Sequence, residues 1–205
     1  MADRETRAKL ARLAAGLNAR TPHAGRLPPL ALMTDDRLAD PVAAARALPR
    51  GNLVILRARD DRRRAALAER LCRIACERDL VLLIASDPDL AARIGADGMH
   101  LPEARAQEAA HWRARHPNWL ITCAAHDARA IARAGAARAD AVFVSPVFTT
   151  KSHGNVRPLG VMRFRALVRA VTIPVYALGG IDARTALRLK DTPIAGLAAV
   201  GALSV

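Results

Sequence analysis

His126 follows an apolar run directly and precedes Asp127, a residue type that caps helices. A neutral imidazole at the end of a strand can move protons near pH 7; the plainer reading is a capping or core histidine. The second chemical feature is Ile173-Pro-Val-Tyr-Ala-Leu-Gly-Gly-Ile-Asp182. Its first half is continuously apolar, the pattern of a strand buried on both faces. Gly179 and Gly180 then lead to Asp182, which opens the helical stretch Ala183–Lys190. A strand that runs through two glycines into a capped helix can present backbone N–H groups to an anion. A further buried run, Gly196–Leu203, carries Gly201 near its end. Glycines at the ends of the last two strands are where a (β/α)8 barrel commonly holds phosphate. As the plainer alternative, they permit tight turns only.

Cations complete the set. Arg57 and Arg59 close the apolar run that begins at Asn52, and Lys151 sits in the longest loop, Phe148–Gly160. Lys151 is one of three lysines in an arginine-dominated chain, and there it could hold a phosphate or diphosphate as a mobile point charge. His100, between Gly98 and Pro102, reads as structural. His111 and His116 lie on a predicted surface helix.

These residues need strand ends to position them. Eight apolar runs alternate with helical patterns: Leu30–Thr34, Asn52–Ala58, Leu80–Ala85, Gly98–Leu101, Trp119–Ala125, Ala141–Val147, the run from Ile173, and Gly196–Leu203. Regular alternation implies a parallel sheet, and eight units favour an α/β fold of the closed (β/α)8 TIM-barrel type. No Gly-x-Gly-x-x-Gly follows the first strand, which argues against a dinucleotide fold. The chain stops at Val205, straight after strand eight, so the barrel is expected to lack its last helix. An amphipathic helix at Asp3–Leu17 is expected to cover part of the barrel instead. The division is residues 1–29 as helix and linker and residues 30–205 as barrel.

Composition bounds the function. Aromatics make up 3% of the chain, so the core must be aliphatic and base-stacking platforms are scarce. The net charge of +13 is spread along the chain rather than gathered in a block, which argues against nucleic acid while favouring anionic small molecules. Cys72, Cys76 and Cys123 form no Cys-x-x-Cys pair and read as small core residues. No run is long enough to span a bilayer, and Met1–Arg20 is charged throughout, so a cytoplasmic protein without signal peptide is expected.

The order and spacing of several motifs resemble the thiamine-phosphate synthase and thiazole tautomerase (TenI-like) superfamily. They are Met33-Thr-Asp35, Leu56-Arg-Ala-Arg59, Gly95-Ala-Asp-Gly-Met-His-Leu101, His126, Ala139–Phe148, Pro158-Leu-Gly160 and Ile173–Ile181. The resemblance covers roughly residues 30–203. It implies thiamine biosynthesis on a (β/α)8 barrel. The synthase joins a pyrimidine diphosphate to a thiazole phosphate, releases pyrophosphate and uses magnesium; the tautomerase moves a proton on the thiazole phosphate without metal. By position, Gly179, Gly180 and Gly201 would hold the thiazole phosphate, Arg57, Arg59 and Lys151 would face the diphosphate, and His126 matches the tautomerase acid/base.

Departures cluster on the magnesium side. Ile55 replaces a glutamine, Ala85-Ser-Asp87 replaces Asn-Asp-Asp, Pro102-Glu-Ala-Arg105 replaces Gly-Gln-Glu-Asp, and Ala124-Ala-His126 replaces Ser-Thr-His. Asp87 is the carboxylate left for magnesium, and an arginine where a carboxylate belongs disfavours a hard-metal site. The expectation is a synthase-like transferase with a degenerate magnesium site. Its alternatives are a metal-independent tautomerase-like enzyme using His126 and a non-catalytic phosphate-ligand-binding paralogue. Expected partners are thiazole phosphate and thiamine phosphate, with no nucleic acid and no membrane. A homo-oligomer is left open because family members are often oligomeric.

Overall fold

The computed structural model describes residues 4–36, 38–57, 61–150 and 156–205. Eight parallel strands close on themselves in chain order. They are β1 Leu30–Met33, β2 Leu53–Leu56, β3 Val81–Ala85, β4 Gly98–Leu101, β5 Leu120–Ala125, β6 Ala141–Val144, β7 Val175–Ala177 and β8 Gly196–Ala199. Closure is made by β8 pairing with β1 in the register Leu30↔Leu197 to Leu32↔Ala199.

The runs are apolar throughout because each strand is buried on both faces. One set of side chains, including Ala31, Met33, Ile55, Leu83, Phe143 and Tyr176, fills the barrel interior. The alternate set, including Leu30, Leu32, Val54, Leu56, Leu82 and Ile84, packs against the surrounding helices. In the interior the rings of Phe143 and Tyr176 stack at 4.5 Å, and the Tyr176 hydroxyl donates to the Pro28 carbonyl at 2.6 Å. Gly196 makes room for that ring, since a Cβ there would stand 2.6 Å from Tyr176 Cε1.

The surrounding helices are α1 Arg4–Asn18, α2 Pro41–Arg46, α3 Asp61–Arg78, α4 Pro88–Ile94, α5 Ala109–Arg115, α6 Ala128–Ala136, α7 Gly160–Arg169 and α8 Ala183–Leu187. Asp40, Asp87, Asp127 and Asp182 cap α2, α4, α6 and α8 by accepting backbone N–H groups. After β8 the chain makes only a short 3-10 helix, Gly201–Leu203. Helix α1 packs on β1, β8, α8 and that turn. It buries Leu10, Ala14 and Leu17, and Asn18 Nδ2 donates to the Ala195 carbonyl at 2.6 Å.

Three boundaries differ from the sequence reading. The last strand stops at Ala199 because Gly201–Leu203 turns into the 3-10 helix. Strand β6 stops at Val144, ahead of Ser145-Pro146, where proline supplies no N–H to a ladder. The helix read over Glu103–His116 starts as a 3-10 helix, Glu103–Glu108, before α5. Cys76 is exposed rather than in the core, because its position on α3 turns to solvent; Cys72 is half-buried and Cys123 buried.

Candidate active site

A cavity of about 1130 Å³ opens at the C-terminal ends of the strands. That is the end where (β/α)8 barrels carry their sites. It is wide enough for a ligand larger than a single heterocycle. Its wall includes Arg57, His100, His126, Gly179, Gly180 and Gly201.

The glycine cradle is built by close backbone approach. Gly179 and Gly180 have φ of +91° and +65°, values that L side chains avoid. A Cβ on Gly179 would stand 2.8 Å from Pro146 Cα, and one on Gly180 would stand 2.5 Å from the Thr149 carbonyl oxygen. The carbonyls are already taken. Val147 N–H donates to Leu178 O at 2.9 Å and Phe148 N–H to Gly179 O at 3.0 Å. Thr185 Oγ1 donates to Gly180 O at 2.8 Å from within the capping box that Asp182 forms with it. Among the described residues, no protein acceptor takes the N–H of Gly179, Gly180 or Gly201. All three glycines line the cavity, so free N–H groups are available there for an anion. Gly201 differs from the other two: a Cβ there meets nothing within 4 Å.

His126 also lines the cavity, just before α6 and close to the cradle, since the Ser145 it meets precedes Pro146, which packs on Gly179. Its Nδ1 lies 2.6 Å from the Ser145 carbonyl oxygen. A carbonyl only accepts, so Nδ1 carries the hydrogen and the neutral ring keeps its lone pair on Nε2. The backbone of His126 is tied as well. Glu103 Oε2 accepts its N–H at 3.0 Å, while Glu103 Oε1 accepts from Arg133 at 3.0 Å. Glu103 is thereby a bracket between α6 and the 3-10 helix.

His100 lies deeper, in the barrel interior. It is 4% exposed, bonded through Nδ1 to Thr122 Oγ1 at 2.9 Å and set edge-on to Phe143. Burial, with Arg57 adding to it, pushes its pKa down to about 3. It is therefore a neutral polar group on the pocket floor at physiological pH.

The structure brings Arg57 to the cavity just beyond the end of β2. Its N–H donates to Thr34 Oγ1 at 3.0 Å and its guanidinium contacts Met33 Sδ at 3.3 Å. Arg59 and Lys151, the other two cations expected to face a diphosphate, lie outside the described residues. Asp87 is placed differently from the other candidates and does not line the cavity. Its Oδ1 accepts the N–H of Leu90 at 2.9 Å as the α4 cap, and its Oδ2 lies 3.9 Å from Arg64 Nε. Arg105 is turned away too, forked onto Glu108 with two bonds of 2.7 Å and donating to Ser86 O at 3.0 Å. Among the described residues no group of three or more His, Cys, Asp or Glu side chains converges. Among the described residues there is thus no preassembled protein cage for a metal, and a magnesium ion here would depend on substrate phosphates for most of its oxygens.

Three cavity cations escaped the sequence reading: Arg64 on α3, and Arg184 and Arg188 at α8. Arg64 donates to the Ala85 carbonyl and fixes the end of β3. Arg184 and Arg188 directly follow the cradle at a spacing of four, a signal that was present in the sequence. Three carboxylates line the cavity too, Asp35, Glu103 and Asp182, of which Glu103 bonds to Arg133 and Asp182 to backbone N–H groups. Against Arg57, Arg64, Arg184 and Arg188 they leave the described lining with a small excess of positive charge.

Fold and site together define a (β/α)8 barrel with an open, glycine-lined cavity at the C-terminal ends of its strands. A model of the family described as thiamine monophosphate synthase matches residues 30–203. A "Putative thiamine-phosphate synthase 2" of Aquifex aeolicus is 35% identical over 131 residues, covering 63% of this chain and 70% of the relative. The thiamine-phosphate synthase of Pyrococcus abyssi is 29% identical over 179 residues, covering 85% and 86%. In fold, the solved thiamine phosphate pyrophosphorylase of Pyrococcus furiosus superposes with a TM-score of 0.72 at 24% identity, covering 86% of this chain and 87% of that one. This chain belongs to the thiamine monophosphate synthase family. Among the described residues, no helix is long and apolar enough to cross a membrane.

Proposed function

We propose that the barrel holds a thiazole phosphate by its phosphate on the N–H groups of Gly179, Gly180 and Gly201 and moves a proton on the ring with His126. This is a metal-independent, tautomerase-like activity. The observation that carries it is the 2.6 Å bond from His126 Nδ1 to Ser145 O. That bond selects the tautomer whose Nε2 can take a proton from one ring position and return it to another. No step of this cycle needs an external oxidant, reductant or metal. His100 supports it as a neutral hydrogen-bonding group on the floor.

A second reading is the synthase reaction itself, which the names of the relatives favour. On that reading Arg57, with Arg59 and Lys151, faces the pyrimidine diphosphate.

One experiment separates them. Thiazole phosphate in deuterated buffer with EDTA is followed by NMR for exchange of its ring proton. Pyrimidine diphosphate and magnesium are then added and pyrophosphate release is measured. Exchange under EDTA that is lost in His126→Ala supports the first reading. Pyrophosphate release without prior exchange overturns it in favour of the second. Binding with neither signal overturns both and leaves a phosphate-ligand binder.

A further inference from the structure

Cationic side chains continue the cradle outward. Arg184 and Arg188 both line the cavity and both are exposed at its mouth. Four residues apart at α8, they are neighbours, with Cβ atoms about 6 Å apart. Their helix is fastened to the cradle, since Thr185 Oγ1 donates to the Gly180 carbonyl at 2.8 Å. Arg188 is placed more closely still. Its guanidinium carbon lies 5.1 Å from the centroid of the Phe148 ring. Phe148 in turn packs so tightly on Gly180 that a Cβ there would stand 2.7 Å from Phe148 Cβ. One aromatic ring therefore separates the Arg188 charge from the cradle, and the cation–π contact holds it there. Among the described residues, no side-chain hydrogen bond or salt bridge engages either guanidinium. Asp182, the nearest carboxylate in sequence to Arg184, accepts the backbone N–H groups of Arg184 and Thr185, and Asp191, the nearest to Arg188, lies 3.6 Å from Arg165.

A single phosphate is met by the three glycine N–H groups. Two guanidinium forks just outside them suit more anionic oxygens than one phosphate offers. We infer that Arg184 and Arg188 form an outer anion subsite contiguous with the cradle, which takes the second phosphate of a diphosphate ester. The barrel would then accept a heterocycle with a diphosphate tail at this end as well as one with a monophosphate. The inference rests on the reading that the cradle holds a phosphate ester.

The test is calorimetric titration of the full chain with thiamine monophosphate, thiamine diphosphate, inorganic phosphate and inorganic pyrophosphate. It compares the wild-type protein, Arg184→Ala/Arg188→Ala and Arg163→Ala, an exposed arginine outside the cavity lining. The wild type is expected to bind each two-phosphate probe about tenfold tighter than its one-phosphate counterpart, the scale of a charge-assisted contact. The double variant should lose that preference, with one-phosphate affinity changed by less than about threefold. Arg163→Ala should keep the preference, because the charge it removes lies outside the cavity lining. A preference that is absent in the wild type, or that survives the double variant, overturns the subsite. If the esters fail to bind while the pyrophosphate pattern holds, the heterocycle reading fails and the subsite stands. If both esters bind equally, the reading stands and the subsite fails. Both arginines are exposed, and an unchanged melting temperature confirms that the double variant is folded.

Discussion

The imidazole of His126 and the carbonyl of Ser145 meet at 2.6 Å across the mouth between β5 and β6. Ser145 is the first residue past β6 and its N–H is bonded to Ala125 O, so the carbonyl has a fixed direction. The bond therefore sets both the tautomer and the orientation of the ring. Replacing His126 with alanine should lower the rate of ring-proton exchange by roughly 10²–10⁴-fold, the usual contribution of a positioned acid–base group. Affinity for the phosphate should change less than the rate, because the cradle donors are backbone N–H groups that the substitution leaves in place. Exchange by NMR and binding by calorimetry, run on the same samples, check both halves.

The cradle glycines are not equivalent. Gly180→Ala puts a methyl 2.5 Å from the Thr149 carbonyl oxygen at a φ of +65°. Either Thr149 moves or the peptide rotates and takes its N–H out of the cavity. We expect roughly 1–3 kcal/mol of lost stability and a marked loss of phosphate affinity. Gly201→Ala meets nothing within 4 Å and should cost less than about 0.5 kcal/mol. Urea unfolding of both variants beside phosphate titrations gives the comparison. Equal effects would remove the steric account of the cradle.

Much of the barrel was legible because buried parallel strands write themselves as continuous apolar runs, and each run lay within a few residues of its strand. The end of β8 was not, because Gly201–Leu203 is as apolar as the strand it follows and turns only through local geometry. Within the site, His126 and the glycines were readable from their place just after strands. Asp87 was readable too, as an aspartate before a proline at the first turn of α4, which is a capping signature before it is a metal ligand. Arg184 and Arg188 were harder. On a helix a basic residue reads as a solvated face, and only the closing of the barrel shows that this face rims the cavity.

Helix α1 tests the fit of the N-terminal segment to the barrel. Leu10 is fully buried, and α1 packs against β1, β8 and α8. Truncating it leaves a cavity that the short 3-10 helix after β8 cannot fill. Leu10→Ala should cost about 2–5 kcal/mol in urea unfolding. A loss below about 0.5 kcal/mol, the scale of surface substitutions, would mean that the barrel does not depend on α1, and residues 1–29 would then be an appendage.

His100 makes stability depend on pH. Its pKa falls from 6.5 in the unfolded chain to about 3 in the folded one, chiefly through burial and secondarily through Arg57. Between those two values the unfolded state binds a proton that the folded state refuses. Stability therefore rises with pH across this window, and it falls as the solution is acidified below 6.5. The loss is complete only near pH 3, where the folded state begins to protonate as well. His100→Gln removes the titration while keeping a polar side chain beside Thr122. Urea unfolding from about pH 7 to about pH 4 should show the wild type losing stability more steeply than the variant, by on the order of a few kcal/mol over the range. The carboxylates common to both proteins cancel in that difference. Parallel pH profiles would mean that the imidazole gains a proton without breaking its place in the barrel, and that the floor of the cavity is more open to water than its burial indicates.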